Sequence, residues 1–452
     1  MKLVLRNVRP WGGAKVDVAI DAGMIRAVGR DIQQTEIEID GKGDLLLPGL
    51  HDHHLHILAL AARNHSVNLR GLIREEDVRA VLGSAPGGPW VRAVDYDERA
   101  AGIPDRHRLD LWIADRPLRL ADRTGALRVL NSAALEAIKD RDWPEGAELD
   151  ISGEPTGRFW REDQWLANAL PSAPPELAAL GADLAAMGLT SLTDAGAANG
   201  PAEAALLVRA LPQRLVMMGS EKLKAGEGYE LGPLKLLIDE RAPPEPDALA
   251  SRISWARNAG RPVAAHCVTE GELALFLAAL QIGGGALPGD RIEHGGMIPA
   301  GLIPIIAEGK LTVVTNPSFI HARGERYRET IVPAQRDELY PAASLAKAAI
   351  ALRGGSDAPY GRVDPWLGMR TARSRLTEQG NILSPHERLN AIAALRLYCS
   401  GKIAVGRQAD LILCTGTMQD VLNDLSADRV RLTLIGGEPA FDSGAHLVDS
   451  YA

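Results

Sequence analysis

The sequence predicts an α/β protein in which a TIM-type (β/α)8 barrel is joined to a small β-sandwich built from both chain termini. Apolar strand-like runs alternate with Ala- and Leu-rich helical stretches through the middle of the chain, which is typical of parallel βα units. Short alternating strands separated by Gly-containing turns occur at both ends of the chain. Between them, eight runs end like barrel strands, the number that this kind of barrel requires.

The two ends of the chain have matching patterns. Turns at Trp11-Gly12-Gly13, Asp21-Ala22-Gly23 and Gly41-Lys42-Gly43 divide the first segment into short strands. The last segment contains strand-like runs at 403–413 and 430–438. We therefore expect residues 1–45 and 396–452 to be the two halves of one β-sandwich.

The barrel is predicted to occupy residues 46–395. Its candidate strands end near His56, Arg123, Asp194, Lys235, His266, His294, Asn316 and Asp357. The run 214–218 also has the composition of a strand and could take the first half of the fourth place. Residues from about 64 to 165 are too many for an ordinary βα connection, so they predict an inserted cap.

Composition excludes several classes of protein. With 46% hydrophobic and 24% charged residues, the 452-residue chain is neither a disordered nor a membrane-inserted protein. A net charge of −8 without a basic block argues against nucleic acid as a partner. The three scattered cysteines and the absence of a signal-peptide pattern predict a cytoplasmic protein. The sequence leaves open whether the chain forms a homo-oligomer.

The most informative motif is His54-Leu55-His56, which follows the apolar run Leu45-Leu46-Leu47. Residues two apart on a strand point to the same side, so His54 and His56 can bind one cation together. His51 and His53 fall on the opposite register and are interpreted as packing or supporting groups. A single His-x-His pair is equally consistent with a polar, half-exposed strand.

Lys235 is the second unusual residue, because it interrupts the apolar strand 234–238. A buried ammonium group is costly and loses its proton easily. Reaction of the neutral amine with carbon dioxide would give a carbamate, which is an anion able to bridge two metals. Three further candidate ligands, His266, His294 and Asp357, each end a strand-like run. Because active sites of barrel enzymes lie at the carboxyl ends of the strands, these residues predict one metal centre.

Taken together, these residues resemble the amidohydrolase superfamily over nearly the whole chain, and within it amidohydrolase family 3, which includes N-substituted formamide deformylases. The narrower resemblance rests on the segments 131–135, 153–157, 188–196, 291–294 and 355–359. One departure is Thr124-Gly125-Ala126, where the family usually has Asp-Gly-His, so a histidine expected to face the substrate is absent.

The resemblance implies a metal-dependent hydrolase of a C–N amide bond. It assigns His54, His56 and Asp357 to one divalent metal, His266 and His294 to a second, and carbamylated Lys235 to the bridge. Zinc is the first expectation, and the ligand types also suit manganese, iron or cobalt. The metals would generate a bridging hydroxide near neutral pH, and Asp357 would move its proton to the leaving nitrogen.

The expected partner is a small-molecule amide of the N-acyl or N-formyl type. Candidate substrate contacts, chosen because they flank proposed strand ends, are Arg123, Asn316, Phe319, His321 and Tyr360. Two alternatives remain from the sequence. The same centre would serve a hydrolase of cyclic amides or ureas or a deaminase of heteroaromatic amines, because fold does not fix function. A non-catalytic scaffold is disfavoured, because every proposed metal ligand is present.

Overall fold

The computed structural model describes residues 2–33, 35, 37–85, 87–123, 125–170, 177–240, 242–399, 401–444 and 448–449. The strands are β1 (Lys2–Pro10), β2 (Val16–Asp21), β3 (Met24–Gly29), β4 (Ile37–Asp40), β5 (Leu45–Pro48), β6 (Leu50–Leu55), β7 (Val67–Asn68), β8 (Val91–Tyr96), β9 (Leu118–Asp122), β10 (Leu127–Leu130), β11 (Ala147–Leu149), β12 (Pro155–Trp160), β13 (Leu189–Asp194), β14 (Arg214–Gly219), β15 (Tyr229–Leu236), β16 (Val263–Cys267), β17 (Arg291–His294), β18 (Thr312–Thr315), β19 (Ala351–Gly354), β20 (Leu411–Cys414), β21 (Val430–Ile435), β22 (Glu438–Asp442) and β23 (Val448–Asp449).

The helices are α1 (Ile57–Asn64), α2 (Glu75–Gly83), α3 (Arg106–Trp112), α4 (Ser132–Glu136), α5 (Asp163–Ala169), α6 (Leu177–Ala186), α7 (Pro201–Ala210), α8 (Pro246–Asn258), α9 (Glu270–Ile282), α10 (Ile303–Glu308), α11 (Ser318–Thr330), α12 (Ala342–Lys347), α13 (Pro365–Ser374), α14 (Ala391–Arg396) and α15 (Met418–Asn423). Within the described ranges, no helix has both the length and the apolar composition that crossing a membrane requires.

Eight parallel strands form the predicted barrel, in the order β6, β13, β14, β15, β16, β17, β18 and β19. The two end strands meet through backbone hydrogen bonds beyond their last residues: Asp357 donates to the His54 carbonyl at 2.7 Å and His56 donates to the Ala358 carbonyl at 2.8 Å. Helices α8 and α9 pack outside β15 to β17, where Ile253, Phe276 and neighbouring aliphatic residues form a buried layer. The predicted fold class is thus confirmed.

One predicted barrel strand is wrong. The strand that ends near Arg123 is β9, which pairs with β8 and β10 in a separate six-stranded sheet. At the ends of the two strands, the Asp122 side chain accepts a hydrogen bond from the Leu127 amide at 3.0 Å. The barrel position is filled instead by β14, which contains the run 214–218. Both runs have the apolar composition of a strand, so the pairing partners distinguish them.

Strands from both termini form one mixed sheet, in the order β22, β21, β20, β5, β1, β2 and β3, with β4 pairing with β1 and β23. The apolar run 45–47 lies in β5 of this sheet, and the first barrel strand is β6. Side chains from both ends of the chain share a core that includes Leu5, Ile20, Leu411 and Leu432. Three free cysteines, Cys267, Cys399 and Cys414, are buried in the described structure.

Residues Leu58–Glu176 form a compact unit of their own, and the rest of the chain forms the other unit. The inserted unit contains the six-stranded sheet β11, β12, β10, β9, β8 and β7. Its core includes Leu69, Val78, Leu109 and Trp112. A segment with its own sheet and core is a domain rather than a long loop.

Candidate metal centre

His54, His56 and Asp357 converge on one point at the carboxyl ends of β6 and β19. The Nε2 atoms of His54 and His56 each lie 3.3 Å from Oδ1 of Asp357. The three candidate ligand atoms all lie within 4.8 Å of one another. A tetrahedral zinc ion with ligands at about 2.0–2.1 Å separates its donor atoms by about 3.3 Å. The three side chains are therefore spaced as ligands of a single ion.

Two further imidazoles extend this group. The His294 ring lies 4.6 Å from the His54 ring and 4.6 Å from the His266 ring, measured between centroids. Burial lowers the pKa of His266 to about 4 and that of His294 well below its ordinary value. Both rings are therefore neutral at pH 7 and keep a lone pair for a metal.

His294 is held in an unusual conformation by a specific partner. Its backbone φ is +71°, in the left-handed region that non-glycine residues seldom adopt. Its Nδ1 donates to Oδ1 of Asn316 at 2.8 Å, and Nδ2 of Asn316 donates to the Gly355 carbonyl at 2.9 Å. This bonding leaves Nε2 of His294 as the ring nitrogen available to an ion.

Lys235 lies on β15 with its side chain inside the protein. It is 2% exposed, and among the described residues its Nζ has no hydrogen-bond partner. Burial lowers its pKa, and this effect outweighs the opposing charges of Glu293 and Asp357. An unpaired buried amine is costly, because its lost hydration is not replaced. A buried amine with a lowered pKa loses its proton more easily, which carbamate formation requires, so the donor set fits the bridged centre.

Glu293 is a supporting residue that forms a hydrogen bond with His54. Its Oε2 accepts a short hydrogen bond from Nδ1 of His54. Its Oε1 also accepts from Nε of Arg291 at 2.7 Å, and the carboxylate is completely buried. Burial alone would raise the pKa of Glu293, but the charges of Arg291 and His54 hold it well below its ordinary value. A fixed carboxylate on Nδ1 orients an imidazole whose Nε2 points to a metal.

Asp357 carries a charge that its neighbours stabilise. Burial would raise its pKa, but the interaction with the His294 imidazole and the hydrogen bonds from His54 and His56 hold it well below the ordinary range. Its φ of +54° is also left-handed. Asp52 connects the same two strand ends, since its Oδ1 accepts from the amides of His54 and Ser356 at 3.1 and 3.0 Å.

Three of the candidate substrate contacts lie near this group. Asn316 is fully buried with its side chain bonded to His294 and Gly355, so it positions a candidate ligand. Tyr360 is 57% exposed, and its ring lies edge-on to the His56 ring at 5.7 Å. Phe319 is buried near the start of α11, and its ring lies beside Gly361, which follows Asp357 closely in the chain.

The other two contacts lie in different surroundings. Arg123 belongs to the inserted unit, where it forms an ion pair with Glu98 at 2.9 Å. His321 lines a cavity of about 620 Å³ with residues of α13, among them Arg370 and Thr371. The segment 124–126 departs from the family pattern. Thr124 lies outside the described residues, and the Ala126 carbonyl accepts a hydrogen bond from the Arg161 amide at 2.8 Å.

Sequence reasoning missed the supporting residues Glu293 and Asp52. Glu293 had a usable signal, because an acidic residue beside a histidine in a buried strand needs a cationic or hydrogen-bonding partner. Its partner His54 lies 239 residues away, so no local spacing could identify it.

Comparisons with known proteins agree with this geometry. A model of the amidohydrolase family matches residues 38–441. An N-substituted formamide deformylase of Arthrobacter pascens is 25% identical over 502 residues, covering 90% of this chain and 91% of that protein. YtcJ of Bacillus subtilis (strain 168) is 25% identical over 458 residues, covering 84% of this chain and 85% of YtcJ. The solved structure of an uncharacterized metal-dependent hydrolase from Pyrococcus horikoshii OT3 has a TM-score of 0.77 at 19% identity, over 92% of this chain and 98% of that one, which supports the fold.

Proposed function

Because this chain belongs to the amidohydrolase family, we propose that it hydrolyses the C–N bond of an N-acyl or N-formyl amide, adding water to give a carboxylic acid and an amine. The observation that carries the proposal is the convergence of His54, His56 and Asp357 at ion-ligand spacing. The similarity to an N-substituted formamide deformylase supports a linear amide as the substrate.

The proposed cofactor is a pair of divalent metal ions, with zinc as the first choice. His54, His56 and Asp357 would hold one ion, His266 and His294 would hold the other, and carbamylated Lys235 would supply the bridging carboxylate. For the bridge, the neutral Nζ forms a bond to the carbon of CO2 and releases a proton, giving a carbamate anion. Metals bound here supply a water of lowered pKa and polarise the amide carbonyl.

Asp357 is the proposed proton carrier. Its carboxylate is ionised at neutral pH, because the surrounding imidazoles hold its pKa low. It accepts a proton from the attacking water and delivers it to the amide nitrogen, so that the nitrogen leaves as a neutral amine. Glu293 and Asn316 keep His54 and His294 aligned during this transfer.

Elemental analysis tests the proposed centre. Wild type and Lys235→Ala are purified without chelators and with ¹³C-bicarbonate, and we expect about two ions per wild-type chain with loss in the variant. A carbamate ¹³C signal in wild type, absent from Lys235→Ala, would identify the bridge. Lys347→Ala, at an exposed position of α12, is the matched control and should keep both the metal and the signal.

A substrate screen of the metal-loaded enzyme tests the reaction. Turnover of N-substituted formamides or N-acetyl amides is expected, with the amine and acid released in equal amounts. Turnover of lactams or ring amines while linear amides stay inert would replace this function with that of a cyclic amidase or deaminase. A metal-loaded protein inert toward every class would point to a scaffold.

A further inference from the structure

An arginine that the sequence did not single out lies beside the candidate metal centre. Arg323 is on α11, which begins shortly after β18. Its Nη2 donates to the Tyr360 carbonyl at 2.9 Å, and the Tyr360 ring in turn lies against His56. Tyr360 therefore links Arg323 to His56, a proposed metal ligand.

The Arg323 side chain is held in place by neutral groups. Its guanidinium carbon lies 3.7 Å from the centroid of the Phe319 ring, a cation–π contact on a buried aromatic residue. Together with the bond to the Tyr360 carbonyl, this contact fixes the orientation of the guanidinium plane. A pre-oriented arginine loses less conformational entropy when it binds an anion.

The charge of Arg323 is not neutralised by the protein. Within the described part of the chain, no carboxylate lies at ion-pair distance from its guanidinium. Glu325, two residues along α11, is committed to Arg328 at 2.9 Å and to Thr377 and Asn381. Arg323 thus keeps several N–H donors and a full positive charge beside the site.

A buried tyrosine lies close to the ring that Arg323 stacks on. Tyr340 is buried close to Phe319, with a ring-centroid separation of 6.3 Å. Burial raises the pKa of Tyr340 well above its usual value, while the Arg323 charge opposes that change and the Asp357 charge reinforces it. The charges of Arg323 and Asp357 therefore act in opposite directions on the same buried hydroxyl.

We propose that Arg323 binds a carboxylate carried by the substrate, so that the preferred substrates are amides bearing a free carboxylate, such as N-formyl or N-acyl amino acids. This inference rests on the proposed amide hydrolysis and deepens it. A guanidinium recognises a carboxylate through two parallel N–H···O hydrogen bonds. Arg323 would then anchor one end of the substrate while the scissile amide lies over the metal ligands, which aligns the reacting atoms.

The test compares two amides that differ only by the carboxylate, N-formylnorleucine and N-pentylformamide. With the metal-loaded wild type, we expect kcat/KM to be higher for N-formylnorleucine. Arg323→Gln should lower kcat/KM for N-formylnorleucine by about tenfold to a hundredfold, mainly through KM, and leave N-pentylformamide unchanged. Arg323→Lys should recover part of the loss, because it restores the charge without the planar fork.

Arg328→Gln is the matched control, since Arg328 is on the same helix but pairs with Glu325. It should leave both substrates unchanged. If N-pentylformamide is hydrolysed as well as N-formylnorleucine and Arg323→Gln alters neither, the inference is wrong while amide hydrolysis stands.

A binding measurement separates failure of the inference from failure of the proposed reaction. Calorimetric titration of the metal-loaded protein with norleucine, the amine product, does not require turnover. If neither amide is hydrolysed, the proposed reaction fails, but norleucine binding that weakens in Arg323→Gln and not in Arg328→Gln still supports the carboxylate site. Absence of norleucine binding to wild type overturns it.

Discussion

Replacing Glu293 by glutamine should weaken metal binding without removing a metal ligand. Glutamine keeps the size of the side chain, and its carbonyl oxygen can still accept a hydrogen bond from His54. It removes the negative charge, however, and puts an NH2 donor where the carboxylate accepts hydrogen bonds from Arg291 and His54. Loss of such a supporting carboxylate typically lowers metal affinity about 10- to 100-fold, or about 1.4–2.7 kcal/mol. The lower affinity should concern the ion that His54 is proposed to bind.

The same change should also destabilise the protein. Glu293 is fully buried and the Arg291 side chain is 12% exposed, so Glu293→Gln leaves a largely buried guanidinium without its carboxylate. Removing one partner of a buried pair costs about 3–5 kcal/mol, and we expect the lower end because Arg291 keeps a hydrogen bond to the His53 carbonyl at 2.7 Å.

Zinc affinity is measured on metal-free protein by competition with a chromophoric chelator, and stability by thermal unfolding. Asp290→Asn is the matched control, because Asp290 is also fully buried and pairs with Arg257 at 2.6 Å. It should lower stability and leave zinc affinity unchanged. A folded Glu293→Gln protein with wild-type zinc affinity would refute the idea that Glu293 orients His54.

Three further predictions follow from the buried groups of the site. Lys235→Met should raise the stability of the metal-free protein by about 1–3 kcal/mol, because it removes an unpaired buried amine, and should abolish metal binding; thermal unfolding and elemental analysis measure the two effects. Asp357→Asn should lower kcat at least about 100-fold on any amide that the wild type hydrolyses, since it removes the proton acceptor, and steady-state kinetics would detect a smaller loss. Metal-free protein should lose stability as the pH falls from about 6.5 to about 4. The histidine protonates at its ordinary pKa of 6.5 in the unfolded chain, whereas burial lowers the pKa of folded His266 to about 4. A melting temperature that does not change with pH across that window would contradict this.

The candidate ligands could be placed at strand ends from the sequence alone, because the end of an apolar strand is a local feature of the sequence. His54, Lys235, His266 and His294 lie on or at the ends of apolar runs, and Asp357 follows one. In a parallel barrel, all carboxyl ends of the strands open on the same face. Order along the chain therefore specified which side chains could meet, before any distance was known.

Several choices depended on the pairing of distant segments. The strands β9 and β14 have similar composition, and only hydrogen bonding assigned β14 to the barrel and β9 to the inserted sheet. His321 is only two residues beyond Phe319, yet the geometry of α11 turns it toward a cavity with α13. Helix phase and strand partners are set by packing, which local composition does not encode.

The sequence by itself determined the fold class, the order of the strand ends and the candidate metal ligands, because strand periodicity and a polar residue within an apolar run are local properties. Only the tertiary structure decided which hydrogen bonds hold those residues and in which direction their pKa values are shifted. Glu293 reaches His54 across 239 positions, Asn316 fixes His294, and Arg323 lies beside Tyr360 without a carboxylate partner among the described residues. These contacts depend on strand register and helix phase, which are fixed only when distant segments pack together.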